Sequence, residues 1–302
     1  MKVLCLFSGQ GYQDPALFSL FDDKPSHPLI ASWSSLLGTD LQQQPLALKD
    51  YHTAPLFIGA YQWCLFHLIA PLLASQSIDL AGYSLGEVIA FLVSCHATTQ
   101  DTFQVLQART QLMASMIKKD EYYDLLSITG TPLPNEIKQQ CDQHQCFVAI
   151  EQSEQHLIVG GKLSDLQALV DELTPCHLKT KFLAIGLPSH TPFYSSQKDQ
   201  LYPYLAAVGT DRLHYPLWNP LSLKKITSKQ EEARLLDKEL YTPLPWQKLN
   251  QLIKEYHYDL IIDLGPGKVM SHLLSPIETS LCSLSDYKST NGLLNGLRRL
   301  LQ

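Results

Sequence analysis

Three short apolar runs, each ending in a glycine-containing turn, constrain the fold of this chain most strongly. They occupy residues 3–7, 78–82 and 260–264. Each run is almost continuously apolar rather than alternating, which is typical of strands that are covered on both faces. Longer segments with helical patterning lie between them, for example residues 57–74 and 102–116. This alternation predicts an α/β core built on a largely parallel sheet.

The pattern changes to shorter units between about residues 120 and 187. The predicted order is strand 125–129, helix 134–141, strands 146–150 and 157–160, helix 163–173 and strand 182–185. This β-α-β-β-α-β order is the ferredoxin-like arrangement. We therefore predict a large α/β domain made of residues 1–119 and 188–302, interrupted by a ferredoxin-like α+β domain of residues 120–187.

Composition excludes several classes of function. A formal net charge of −6 argues against nucleic acid and anionic membranes as partners, since both need a positive field. The apolar segment 65–74 contains His67 and Pro71 and is too short to span a membrane, and the N-terminal apolar run is too short for a signal peptide. We expect a soluble cytoplasmic protein.

The cysteine pattern suits a reducing compartment. The chain has seven cysteines and no CxxC pair, which indicates reduced structural thiols. Cys141, His144 and Cys146 are close in sequence, but their spacing matches no standard zinc motif. A catalytic metal is not expected.

Ser84 is the candidate nucleophile. It lies in Gly82-Tyr83-Ser84-Leu85-Gly86, between an apolar run and an apolar helix, which is the strand–turn–helix context of a nucleophile elbow. The alternative is an ordinary strand-to-helix turn in which Ser84 only caps the helix. The helix start would also place the Leu85 N–H where an oxyanion could be held.

A serine nucleophile needs a base, and eleven histidines are available. His190 lies between Pro188 and Pro192, in a loop that could aim a side chain at a cleft. The residues alone leave His96 and His214 as competitors for this role.

Arg109 interrupts the apolar stripe of a predicted helix. Leu106, Arg109, Met113 and Met116 follow steps of three and four, so the guanidinium is expected to be buried. A buried guanidinium needs a carboxylate or several other acceptors, because an unpaired buried charge is costly. The partner is either a protein carboxylate or a substrate carboxylate, unless the charged head extends to water.

Five motifs in order give a more specific indication: LCLFSGQGYQ, GYSLGE, LQARTQLM, GLPSHTP and DLGPGKVMSHLL. With these motifs the chain resembles the malonyl-CoA:acyl-carrier-protein transacylases nearly end to end. The resemblance implies a hydrolase-like parallel-sheet core with an inserted ferredoxin-like domain. It also implies an S-malonyltransferase that binds no cofactor, takes malonyl-CoA as substrate and uses the phosphopantetheine-type thiol of an acyl carrier protein as acceptor.

The resemblance also assigns roles to residues. It implies Ser84 as the nucleophile, His190 as the base and Arg109 as the clamp for the malonyl carboxylate. The N–H groups of Gln10 and Leu85 would hold the oxyanion, and the Glu239 carbonyl would orient the base. Three positions depart from the family pattern. Ser8 replaces a usual proline, Tyr83 a common histidine and Thr242 a usual asparagine, and the last of these puts the geometry around His190 in question.

Several details resemble the epsilon subunit of malonate decarboxylase more than the fatty-acid enzyme. They are AGYSLGE, HLIVGG, PSHTP and SLSDYKSTNGLL. This version implies a dedicated carrier protein and other decarboxylase subunits as partners. Two rivals stay open: a serine thioesterase or other hydrolase that uses the same elbow, and a non-catalytic carrier-binding subunit.

Overall fold

The computed structural model describes residues 1–11, 14, 16–23, 27–43, 50–130 and 137–302. In these ranges the strands are β1 (Lys2–Phe7), β2 (Ser77–Gly82), β3 (Tyr123–Thr129), β4 (Phe147–Ser153), β5 (His156–Lys162), β6 (Lys179–Phe182), β7 (Leu217–Asn219), β8 (Lys224–Ile226), β9 (Leu260–Asp263) and β10 (Ser280–Ser283).

The α-helices of the same ranges lie between and around these strands. They are α1 (Pro28–Leu37), α2 (Ala54–Leu73), α3 (Leu85–Ser94), α4 (Thr99–Ala114), α5 (Ile137–Gln143), α6 (Leu163–Leu173), α7 (Tyr202–Ala207), α8 (Lys229–Glu239), α9 (Trp246–Glu255), α10 (Val269–Leu274) and α11 (Thr290–Leu300).

The main sheet has the strand order β10-β9-β1-β2-β7-β8. All neighbours are parallel except β7 and β8, which pair antiparallel at one edge. The central strand β1 is buried from Val3 to Phe7, because helices cover both faces of the sheet. The prediction of an α/β fold with a parallel-sheet core is confirmed. Since parallel strands end at the same edge, the turns after β1, β2 and β9 lie close together there.

A second sheet has four strands in the order β4-β5-β3-β6, and every neighbouring pair is antiparallel. Helices α5 and α6 complete a β-α-β-β-α-β sequence of elements, as the pattern of residues predicted. This sheet has its own apolar cluster, which includes Leu126, Val159 and Leu169. Leu244 of the segment before α9 joins the edge of β4, since its N–H donates to the Ala149 carbonyl.

Helix α2 is the core helix of the large sheet. Within the described residues it is the one helix long and apolar enough to cross a membrane, yet 67% of its most apolar stretch is buried in the fold. Its aromatic residues pack internally; Tyr61, for example, makes edge contacts with Phe18 and Phe21. The helix therefore serves to cover the parallel sheet.

Two predicted elements differ from the observed ones. The strand predicted at residues 182–185 is wrong, because β6 ends at Phe182 and the next residues form an irregular loop. Ala184 and Gly186 have positive φ angles there, and the apolar side chains of this loop face the site described below instead of a sheet. The helix predicted at residues 134–141 is observed as α5 from Ile137; its predicted start lies outside the described residues.

Candidate active site

Ser84 lies on the turn between β2 and α3. It has φ 55° and ψ −108°, a strained conformation for a residue with a side chain. Neither flanking glycine of the motif could carry a Cβ atom. At Gly82 that atom would overlap the backbone of Glu87, and at Gly86 it would overlap the Phe7 carbonyl oxygen. The two glycines therefore let the elbow pack against β1 and hold Ser84 half-buried at the sheet edge.

His190 is the histidine that the fold brings to Ser84. Its Nε2 lies 2.7 Å from the Ser84 Oγ, and its Nδ1 lies 2.6 Å from the Glu239 carbonyl oxygen. A carbonyl can only accept, so Nδ1 carries the proton and Nε2 is free to accept the serine proton. Burial lowers the pKa of His190 to about 3, which keeps the ring neutral and able to act as a base. Both competitors are elsewhere: His96 and His214 stack on each other with ring centroids 3.6 Å apart.

The loop that carries His190 is held by a buried aspartate at the start of β3. Asp124 accepts the backbone N–H groups of Ala184, Ile185 and Gly186 at 2.9 to 3.3 Å. At the other end of the loop the His190 N–H donates to the Leu240 carbonyl at 3.0 Å. The sequence analysis missed Asp124. A buried charged residue in an otherwise apolar strand would have been the available signal.

Arg109 projects from α4 toward the same serine. Its side chain is only 5% exposed, and its Nη2 donates to the Ser84 Oγ at 3.4 Å. Among the described residues no carboxylate lies within ion-pairing distance of this guanidinium. Burial lowers the pKa of Arg109 to about 10. Because this value is still well above 7, the group stays charged at neutral pH. Of the partners considered for Arg109, a protein carboxylate within ion-pairing distance is absent from the described residues; the buried Glu239 carboxyl group acts on the guanidinium only from farther away.

These side chains line one cavity of about 60 Å³. The space suits a handful of non-hydrogen atoms, since a single water needs about 10–15 Å³ of such volume. The polar wall contains Ser84, His190, Arg109 and Gln10. The remaining wall is mainly apolar and includes Met113, Leu125, Ile150, Ile158, Leu183 and Ile185.

Gln10 and Leu85, the residues expected to supply oxyanion N–H groups, both line this cavity. Leu85 is the first residue of α3, where backbone N–H groups have no partner within the helix. Within the described chain neither N–H donates to a protein acceptor. Two backbone donors thus remain available beside the Ser84–His190 pair.

The three departures from the family pattern have separate structural settings. The Ser8 hydroxyl donates to the Gly265 carbonyl at 2.6 Å, and this ties the turn after β1 to the turn after β9. The Tyr83 ring makes an edge contact with Trp246, and its hydroxyl donates to Gln152 at 3.3 Å. Thr242 is half-buried. The His190 ring forms its hydrogen bonds with Ser84 and the Glu239 carbonyl although Thr242 replaces the usual asparagine.

Three carboxyl groups meet beneath His190. Glu87 of α3 and Glu232 and Glu239 of α8 are buried around Asn219, whose Nδ2 donates to Glu87 at 2.9 Å, to Glu239 at 3.1 Å and to Glu232 at 3.5 Å. Burial raises the pKa of all three groups, that of Glu232 to about 7. The sequence analysis assigned only the Glu239 backbone. The overlooked signal was a glutamate inside the apolar helix LGEVIAFLVS.

The residues weighed for a metal site lie in α5 and in the turn between α5 and β4. Cys141 and Cys146 are buried in its apolar cluster, and burial raises the pKa of both thiols to about 12. The His144 ring pairs with Glu172 at 2.6 Å.

Comparison with known proteins gives relatives along nearly the whole chain. A malonyl CoA-acyl carrier protein transacylase from Haemophilus influenzae is 23% identical over 300 residues, covering 94% of this chain and 95% of the relative. No protein-family model matches the chain.

Solved structures agree with this relationship at the level of the fold. The malonyl-CoA:acyl carrier protein transacylase of Helicobacter pylori has a TM-score of 0.87 at 21% identity, covering 100% of this chain and 98% of that one. A chain from a complex of a type II polyketide synthase acyl-carrier protein with its malonyl-transacylase has a TM-score of 0.83 at 22% identity, covering 99% and 100%. The chain therefore has the fold of the malonyl-CoA:acyl-carrier-protein transacylases.

Proposed function

We propose that this protein is an S-malonyltransferase that moves a malonyl group from malonyl-CoA to the thiol of an acyl carrier protein, through an ester on Ser84. One observation carries the proposal most. A buried, charged Arg109 with no carboxylate within ion-pairing distance among the described residues lies beside a hydrogen-bonded Ser84–His190 pair. A substrate that brings both a thioester and a carboxylate satisfies both features at once.

In the first half-reaction, the His190 Nε2 accepts the Ser84 proton as Oγ attacks the thioester carbonyl carbon. The negative charge on the carbonyl oxygen is stabilised by the N–H groups of Gln10 and Leu85. The carbon–sulfur bond then breaks, and the protonated His190 gives its proton to the leaving CoA sulfur. The Glu239 carbonyl keeps the ring oriented through Nδ1. Ser84 carries a malonyl ester at the end of this step.

The second half-reaction is the reverse with a different thiol. His190 accepts the proton of the carrier's phosphopantetheine-type thiol, whose sulfur attacks the ester carbonyl. The bond to the Ser84 Oγ breaks, and His190 returns the proton to that oxygen. The products are the malonyl-carrier thioester and the free enzyme. The complex of a related transacylase with an acyl-carrier protein supports this choice of acceptor.

Specificity for a short acid follows from the charge and size of the cavity. The malonyl carboxylate forms charge-assisted hydrogen bonds with Arg109, whereas an acetyl group leaves the guanidinium buried and unpaired. The small volume and the apolar wall disfavour long or strongly polar acyl groups. The mainly apolar wall of this partly open site also limits access of water, which favours transfer over hydrolysis.

Intact-protein mass after brief incubation with malonyl-CoA or acetyl-CoA tests this proposal, with Ser84→Ala as the control. We expect a malonyl-sized increase that the Ala variant lacks, and transfer of that group to a holo acyl carrier protein on its addition. Thioester consumption with free malonate and no stable adduct would establish the hydrolase instead. No adduct and no consumption would establish the non-catalytic carrier-binding subunit.

The pathway forms the finer part of the proposal. The motifs AGYSLGE, HLIVGG, PSHTP and SLSDYKSTNGLL support a protein of the malonate decarboxylase epsilon type, which charges a dedicated carrier. The rate of malonyl transfer from the enzyme to a decarboxylase carrier subunit and to a fatty-acid carrier protein, measured in parallel, decides between the two pathways. Faster transfer to the fatty-acid carrier would overturn the decarboxylase assignment while leaving malonyl transfer in place.

A further inference from the structure

Glu239 connects two parts of the site. It is the last residue of α8, so its carbonyl has no partner within the helix and is free to accept the His190 Nδ1–H at 2.6 Å. Its side chain turns inward, where it accepts from Asn219 beside the Glu87 carboxyl group. The position of the histidine therefore depends on how firmly a helix end is held.

Glu87 provides this hold from the nucleophile side. It lies three residues after Ser84, in the first turn of α3, and its side chain is fully buried. The Glu87 carboxyl group accepts from the same Asn219 NH₂ group as the Glu239 and Glu232 carboxyl groups, which places the three acids side by side. The helix that begins at the nucleophile is thus joined to the residue that orients the base.

The cluster has more acceptors than donors. Asn219 supplies one NH₂ group to three carboxyl groups, and its own oxygen accepts the N–H groups of Leu221 and Ser222. Within the described chain, Glu87 Oε2 and Glu232 Oε2 are buried and receive no amide or hydroxyl donor. A contact between two carboxyl groups is attractive only when it contains a proton. The clustered carboxyl groups around Asn219 therefore hold protons, and the raised pKa of each group agrees with this state.

We propose that Glu87 is a positioning residue: its protonated carboxyl group, bonded to the Glu239 side chain, fixes the peptide that orients His190 toward Ser84. The proposal rests on the proposed function, because it concerns the base of that reaction. Catalytic groups must be held within about 0.5 Å of their productive geometry, and side chains that act through a neighbour usually provide this rigidity. Glu87 forms no hydrogen bond with the His190 ring and does not line the cavity, so its effect is indirect.

Two substitutions separate this role from simple packing. Glu87→Gln keeps the length of the side chain and supplies permanent N–H donors, whereas Glu87→Asp keeps the acid but shortens its reach by one methylene. Glu232→Gln is the matched control, since Glu232 belongs to the same cluster but its backbone has no contact with His190. Thermal unfolding of each variant first establishes that it is folded.

Two readouts are measured on the folded variants. The first is the proton NMR signal of the His190 Nδ1–H, assigned by its loss in His190→Ala. The second is the single-turnover rate of Ser84 acylation across malonyl-CoA concentrations. We expect Glu87→Asp to shift or broaden the signal and to slow acylation at saturation about 10- to 100-fold with little change in apparent KM, as for a small misplacement of a catalytic group. Glu87→Gln should retain the signal and a near-normal rate.

Three results would overturn the proposal. The first is a folded Glu87→Asp protein with a normal NMR signal and acylation rate. The second is a Glu87→Gln protein whose signal and rate change as much as those of Glu87→Asp. The third is a Glu232→Gln protein that shifts the signal as much as Glu87→Asp does. The NMR signal is read without substrate. If the protein forms no acyl adduct but the signal responds as expected, the transferase proposal fails and the positioning role stands.

Discussion

The elbow at Ser84 and the loop at His190 hold their side chains in different ways. The elbow, residues 82–86, is fixed by steric limits: a strained serine and two glycines that allow close contact with the backbone of α3 and of β1. The histidine loop, residues 183–192, has no regular structure before Pro192 and is held by two distant segments, one with Asp124 and one with Glu239 and Leu240. Ser84 thus depends on close backbone packing of its own turn, including contact with β1, whereas His190 depends on hydrogen bonds from distant segments.

Gly86→Ala should have the largest effect, because it breaks the elbow itself. The added Cβ would meet the rigid backbone of Phe7 and Ser8, so we expect a loss of about 3 kcal/mol or more in the free energy of unfolding and no malonyl adduct. Denaturant unfolding and intact mass measure both. Gly292→Ala on α11 is the control, where the Cβ meets only the Ser289 hydroxyl at 3.2 Å and stability should change little. A stable, acylated Gly86→Ala protein would contradict the steric account.

Arg109→Ala should leave the elbow and the histidine loop intact while removing the buried charge from the cavity. We expect malonyl acylation to fall about 10²- to 10³-fold, the equivalent of a lost buried ion pair, while some acetyl acylation persists. Single-turnover rates with the two thioesters measure the preference. Arg234→Ala removes an exposed arginine that stacks on Tyr202 and should change neither rate. Equal losses for malonyl and acetyl groups would exclude the carboxylate clamp.

Asp124→Asn should weaken the histidine loop without touching the elbow. The amide replaces a carboxylate that accepts three loop N–H groups, so we expect a loss of about 2 kcal/mol in the free energy of unfolding and slower acylation. Asp237→Asn is the control. Asp237 likewise accepts three N–H groups, but from residues 199–202, which do not line the cavity. Equal effects of the two substitutions on acylation would refute a specific role for Asp124.

The smallest expected effect concerns pH. Because the pKa of His190 is lowered to about 3, the acylation rate should not fall as the pH decreases through 6.5, where an exposed histidine gains its proton. The unfolded chain does gain that proton, so His190 lowers the free energy of unfolding as the pH falls from about 6.5 toward 3. Acylation rates and denaturant unfolding between pH 8 and pH 5 measure both, with His190→Asn as the reference for stability. A rate that halves near pH 6.5 without unfolding would show that the ring titrates normally.

The sequence determined the parts of this protein that depend on residues close together in the chain. The apolar runs before glycine turns predicted β1, β2 and β9, and the stripe of α4 predicted a buried Arg109, because strand and helix periods are local properties. The turn at Ser84 was also predictable, since its two glycines and its neighbouring apolar segments are contiguous.

The tertiary structure decided the rest. Residues 182–185 read as a strand, but Asp124 accepts the N–H groups of the loop that follows β6, and the apolar side chains line a cavity instead. No local pattern distinguished His190 from His96 and His214, because the choice depends on carbonyls of Glu239 and Leu240 about 50 residues away in the chain. The carboxyl cluster unites α3, β7 and α8 for the same reason. Contacts between distant segments exist only once the chain has folded, so their geometry is a property of the fold and not of any sequence window.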